Sequence, residues 1–127
     1  MNRAGNERMC GLNISLPMAA GAKIREHCII AMNEEGFAEE ASLKEGLLIA
    51  GCSQRFKDNS EGENGEVAIP VRRGTFFWNN DGSITAKDIL KDCYVSDAQT
   101  VTLTAEGSSR AGKILGVEVD GVIVEML

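Results

Sequence analysis

The sequence is poor in the residues that chemistry uses most. It has one histidine, and aromatic residues make up only 5% of its 127 positions. A single histidine excludes any site built on two imidazoles. His27 stands beside Cys28, but neighbours in an extended chain point to opposite faces, so the two are not expected to act as nucleophile and base. Cys10, Cys28, Cys52 and Cys93 are widely spaced, with no C-x-x-C and no histidine pair near them, which argues against a zinc site. No apolar run approaches the roughly 20 residues that a membrane helix needs. No apolar leader precedes the cysteines, so reduced thiols in a cytoplasmic product are expected. Cys28, Cys52 and Cys93 should pack in strands.

Positive charge is also scarce. The net charge is −6 and the isoelectric point is near 4.8. Non-specific nucleic-acid binding relies on Lys and Arg neutralising phosphates, so this balance argues against it. The acid is uneven. Glu34, Glu35, Glu39, Glu40 and Glu45 crowd one stretch, and Asp58, Glu61, Glu63 and Glu66 another. Both read as solvated loops, or as a face that docks on a basic partner. Carboxylates set among glycine and asparagine in loops have no reason for a raised pKa. Asp97 and Asp120 read as turn formers. The segment Gly107–Lys113 (GSSRAGK) partly matches a phosphate-binding loop. Ile114 stands where the hydroxyl residue belongs, and a strand follows instead of a helix, so nucleotide binding is not expected.

Hydrophobic residues at 43% can fill one core, and fourteen glycines suit a turn-rich β chain. With so few aromatics the core must be aliphatic. Short β-type runs are cut at close intervals by turn residues, most clearly from Pro70 onward. The expected fold is all-β: a small compact β-barrel or sandwich over residues 24–127, with one short helix and an extended N-terminal arm over residues 1–23. The arm lacks a helical period. Leu12, Ile14 and Leu16 alternate as in a strand, and Met9 and Met18 add apolar contacts. Residues 37–43 read as a short strand or a poor helix. Pro70 lacks an N–H and predicts an edge or a bulge in its strand. Thr85 and Asp88 form a capping-box pattern that predicts a helix over residues 86–91. Asp120-Gly121 between alternating apolar runs predicts the turn of a hairpin. The expected core includes Ile29, Leu48, Ile69, Phe76, Val95, Val101, Leu103, Ile114, Val117 and Val122. Phe77 should lie on the face opposite Phe76 and Trp78, under a neighbouring loop or subunit. Arg72 and Arg73 beside the aromatics either end a strand in solvent or pair with acidic loops of a neighbouring copy.

Over residues 50–127 the chain resembles small proteins encoded near the major capsid gene of many tailed bacteriophages. The resemblance rests on Phe56-Lys57-Asp58-Asn59, Val71-Arg72-Arg73-Gly74 and Ile84-Thr85-Ala86-Lys87-Asp88-Ile89. It continues through Cys93-Tyr94-Val95, Gln99-Thr100-Val101, Ser109-Arg110-Ala111-Gly112 and Val119-Asp120-Gly121-Val122. A weaker likeness covers LNISLPMAAGAKI, residues 12–24. The final aromatic of the family's closing hairpin is replaced by Ile123, and Lys91 departs from the pattern after Leu90. The resemblance implies a head decoration (cement) protein, a virion structural protein made in the host cytoplasm. Such a protein binds the exterior of the shell built by the major capsid protein and stabilises the head. It also implies self-association as a homotrimer, no cofactor, no metal, no catalytic residues and neither nucleic acid nor membrane as partner. Another phage structural part, a head–tail connector or a tail component, is the alternative. A small enzyme or ligand-binding barrel is a third possibility, without convergent polar groups in the sequence to favour it. The expected capsid- or subunit-contact residues are Leu12, Ile14, Leu16, Met18, Arg72, Arg73 and Phe77.

Overall fold

The computed structural model describes residues 13–127 and is nearly all β. In chain order the strands are β1 (Asn13–Pro17), β2 (Lys23–Ile24), β3 (Ile29–Met32), β4 (Ala38–Glu40), β5 (Leu48–Ser53) and β6 (Lys57–Asp58). They continue with β7 (Ala68–Arg72), β8 (Gly74–Asn80), β9 (Asp92–Asp97), β10 (Thr100–Thr102), β11 (Arg110–Glu118) and β12 (Gly121–Met126). Five of these close into a barrel in the order β10-β8-β12-β11-β9, in which only the β10–β8 pair is parallel. Five others form an antiparallel sheet, β1-β7-β5-β3-β4, and β2 pairs with β6 beside it. Ala38 bridges to Met18, and the Ala19 N–H donates to the Ala38 carbonyl. The open sheet therefore curls until its last strand meets the chain leaving its first.

Period-2 alternation sorts the apolar residues into two cores. Ile29, Ala31 and Cys52 face the barrel and join Trp78, Val95, Val101, Ile114, Val122 and Val124. Ile30 and Ala50, on the same two strands, face the other way and join Met18, Ile24, Ala38, Ile69 and Val71. Strand β3 is thus buried on both faces, which is why CIIAM, residues 28–32, is continuously apolar and does not alternate.

Most expected core residues are inside. Ile29, Ile69, Val95, Val101, Ile114 and Val122 are fully buried, and Phe76, Leu103 and Val117 pack partly buried against the barrel core. Leu48 is an exception: it is 74% exposed, and Leu47 is the buried member of that pair. The cause is a bulge. Ile30 pairs with Gly51 and Ala31 with Ile49, so β5 carries one extra residue and its facing pattern shifts.

Residues 13–23 are not part of a free arm. Residues 13–17 form a strand on β7 of the same chain, in the register Ile14↔Val71 and Leu16↔Ile69. Ile14 and Leu16 pack on the second core, and Met18 and Ile24 are fully buried in it. The alternation of Ile14, Leu16 and Met18 was a real strand signal, but the apolar face is needed at home. The expected boundary after residue 23 is therefore corrected: residues 13–23 belong to the body, and residues 1–12 lie outside the described residues.

Three local expectations are also corrected. Strand β7 is interior, not an edge. The Pro70 carbonyl receives the Gln54 N–H at 3.0 Å, and its missing donor faces Gln54 just beyond the end of β5, so only the return bond of that last pair is forgone. The helix is a single 3-10 turn, Ala86–Asp88. The capping box forms, with the Thr85 N–H donating to the Asp88 carboxylate at 2.8 Å. Ile89 is then extended, Leu90 takes a φ of 76°, and the Leu90 N–H goes to the Ile114 carbonyl, so pairing with β11 ends the helix. In the β11–β12 hairpin Glu118 pairs with Gly121, so Val119 and Asp120 make the turn. Gly121 opens β12 because a Cβ there would meet the Phe77 ring at 2.4 Å.

Candidate docking surface

The sequence-selected residues divide into two groups. Leu12 lies outside the described residues. Ile14 and Leu16 are half-buried against the second core, and Met18 has no exposed surface to offer a neighbour. Arg72, Arg73 and Phe77 behave differently: the fold brings them to one side of the junction between sheet and barrel.

The junction is built from backbone constraints. Strand β7 passes into β8 through Arg73 and Gly74. Gly51 lies so close beneath β7 that a Cβ would stand 2.3 Å from the Arg72 carbonyl oxygen, at a φ of 153° that also favours glycine. The bulge leaves the Ala50 carbonyl available, and a guanidinium N–H of Arg73 donates to it at 2.8 Å. His27 takes a φ of 60°. Its N–H donates to the Ser53 carbonyl at 2.9 Å, and its carbonyl accepts from the Gln99 side chain at 3.4 Å. The imidazole is exposed and the thiol of Cys28 is buried, so the two have separate environments.

Between these elements runs a groove of about 450 Å³ lined by His27, Gln54, Arg72, Arg73, Thr75 and Phe76. A shallower depression of about 250 Å³ adjoins it at His27 and is lined by Phe77, Asn79 and Gln99. Phe77 is 46% exposed there, whereas Phe76 and Trp78 pack together inside with ring centroids 6.2 Å apart. Among the described residues the ion pairs are Arg25–Glu40, Lys91–Asp88 and Arg110–Asp92; Arg72 and Arg73 are in none of them. The groove is cationic on a protein of net negative charge.

Sequence reasoning missed His27, Gln54, Thr75 and Gln99 as parts of this surface. They come from distant segments, and no local pattern marks the left-handed backbone at His27. Two other motifs prove structural. The Ser109 hydroxyl accepts from the Leu47 N–H and donates to the Lys44 carbonyl, and the Ser108 hydroxyl donates to the Val95 carbonyl. Ser109 thus ties the start of β11 to the segment before β5, and Ser108 ties it to β9 within the barrel. Cys28, Cys52 and Cys93 are free and buried. Burial pushes the Cys52 thiol up to about 11 and the Cys93 thiol up to about 12, so neither is a thiolate at neutral pH. Among the described residues no three His, Cys, Asp or Glu side chains converge as metal ligands, and no helix is long and apolar enough to cross a membrane.

No family model, curated protein or solved structure matches the chain.

Proposed function

We propose that the protein is a capsid decoration protein that binds the exterior of a phage head and stabilises it. The reading rests on the residue patterns of positions 50–127 and is carried on the structural side by the outer edge of β1. The Met18 N–H points to the Val67 carbonyl, so by alternation Ile14 and Leu16 also turn their backbone groups toward β7. Asn13 and Ser15 turn N–H and C=O outward, Pro17 turns C=O outward, and among the described residues none of these has a backbone partner. The strand, Asn-Ile-Ser-Leu-Pro, carries no charge to repel a second strand. The opposite edge, β4, carries Glu39 and Glu40 and is bridged at Ala38. An uncharged edge with no backbone partner among the described residues supports docking by strand addition, in which backbone bonds supply affinity. Many copies around a shell then act together through avidity.

The test is binding to undecorated shells of the major capsid protein encoded beside its gene, read by co-sedimentation and by cryo-electron microscopy. The wild-type chain should coat the shell exterior. Ser15→Pro removes an outward donor without touching the bonds to β7, so it should fold normally and bind at least about tenfold more weakly. Absence of wild-type protein from the shell exterior would overturn the proposal. Density in a ring at the portal or in the tail would replace it with the connector or tail reading.

A further inference from the structure

We infer that the cationic groove at Arg72 and Arg73 is the socket for the acidic loop, residues 58–66, of a second copy of this chain. The inference deepens the proposed function, in which the protein associates with its own copies on a shell. Charge complementarity identifies the occupant. The groove presents two guanidinium groups and one imidazole. Arg73 spends one N–H on the Ala50 carbonyl and keeps its remaining donors for a carboxylate, which a guanidinium fork fits in two-point fashion.

Of the two acidic stretches, the one at 34–45 is partly committed. Glu40 takes three hydrogen bonds from Arg25, through the backbone N–H at 2.7 Å and the guanidinium at 3.0 Å twice. Glu45 accepts the Gly107 N–H. In the loop at 58–66 the carboxylates of Glu61, Glu63 and Glu66 have no partner among the described residues, and all three side chains are exposed. The loop is also stiff. Asn59 is 2% exposed, its amide donates to the carbonyls of Ala19 and Glu63, and Gly62 packs so tightly on it that a Cβ would stand 2.0 Å from the Asn59 Oδ1. A preformed acidic turn loses little freedom on docking.

Loop and groove lie at opposite ends of β7. The strand runs from Ala68, just after the loop, to Arg72, about 13 Å further on. A copy cannot fill its own groove with its own loop, so the occupant comes from another copy, and where two copies do not exchange loops reciprocally the contact is head-to-tail. Head-to-tail contacts close into rings when the rotation per copy divides the circle, a cyclic trimer being the case of a rotation of about 120°.

The experiment measures the mass of the full chain by sedimentation at low and high salt. Wild type should self-associate at low salt and dissociate as salt screens the contact. Arg72→Glu/Arg73→Glu and Glu61→Arg/Glu63→Arg should each weaken self-association by about tenfold or more. Mixed together the two variants should form complexes that neither forms alone, because each then offers a face the other accepts. Restoration on mixing is a result that mere misfolding of either variant cannot produce. A wild-type chain that stays monomeric at low salt, an unchanged mass for the arginine variant, or no rescue on mixing would each overturn the inference. Shell binding is scored separately. Self-association through the groove without shell binding defeats the decoration reading alone, and shell binding indifferent to both charge reversals defeats this contact alone.

Discussion

Replacing Met18 with alanine should destabilise the whole protein. Met18 is among the largest fully buried side chains and lies in the second core with Ile24, Ile30, Ile69 and Val71. Truncating a buried methionine to alanine costs about 2–5 kcal/mol, because the lost transfer energy is joined by a cavity. A domain of this size has a total stability of about 5–15 kcal/mol, so the loss is a large share. An unfolding entropy near 2.1 cal/mol/K per residue gives the chain roughly 0.27 kcal/mol/K, and Tm should therefore fall by about 7–18 °C. The assay is thermal and urea unfolding followed by fluorescence of Trp78, the only tryptophan. That probe sits in the barrel core, not beside Met18, so a shift in its midpoint also tests whether the two cores melt together. Deleting residues 1–12 is the control and should leave the midpoint within about 2 °C. An unchanged midpoint in Met18→Ala would refute the assignment of residues 13–18 to the body and restore the free arm.

Gly51→Ala should cost more than a usual surface change, about 1–3 kcal/mol, because the added Cβ meets the Arg72 carbonyl at 2.3 Å in a glycine-favouring backbone; wild-type melting would contradict the close approach of β7 to the bulge. Thiol titration in the native state should find Cys28, Cys52 and Cys93 silent, and in urea without reductant all four cysteines should react; fewer than four, with recovery after reduction, would reveal a disulfide. Asp88 is held below the usual carboxylate range, chiefly by the Thr85 N–H and then by Lys91. Its contribution is therefore present above about pH 4 and lost as pH falls through the lowered folded value. Asp88→Asn should melt below wild type at neutral pH, and the gap should narrow on acidification; a gap independent of pH would refute the capping role of the carboxylate.

Much of the fold was legible because β structure writes its period into sequence. The β8 aromatics sort as alternation requires: Phe76 and Trp78 inside, Phe77 outside. The terminal hairpin and the capping box also form. The misplaced arm and the misplaced Leu48 have causes that leave no mark on the pattern. A period-2 pattern specifies a strand and a face but not the strand that will lie beside it. Ile14, Leu16 and Met18 would look the same on a neighbour's sheet as they do on β7. A bulge is equally silent, since the extra residue at Ala50–Gly51 leaves the apolar run 47–50 unchanged while it turns Leu48 into solvent. The docking groove was half legible. Arg72, Arg73 and Phe77 stood out as cations and an outward aromatic in one short run, whereas His27 and Gln99 reach the same place only through the crossing of sheet and barrel.

That crossing also explains why a chain of this size can act as a rigid part. Strands β3 and β5 send alternate residues to opposite cores, so neither core can shift without dragging the sheet that walls the other. The junction is fastened by backbone bonds: Ile29 N–H to the Ala98 carbonyl at 2.7 Å and His27 N–H to the Ser53 carbonyl at 2.9 Å. The Arg73 guanidinium on the Ala50 carbonyl and the Gln99 amide on the His27 carbonyl add side-chain links. The groove lies on these bonds, so its shape is set by the fold before any partner arrives. Binding then has to order little beyond the tips of Arg72 and the opposing glutamates, and each immobilised side chain of that kind costs only about 0.5–1.5 kcal/mol. A contact between exposed charges is individually weak. In the proposed contact between copies, such a weak interaction gains from being preformed at one end and from being repeated between several copies.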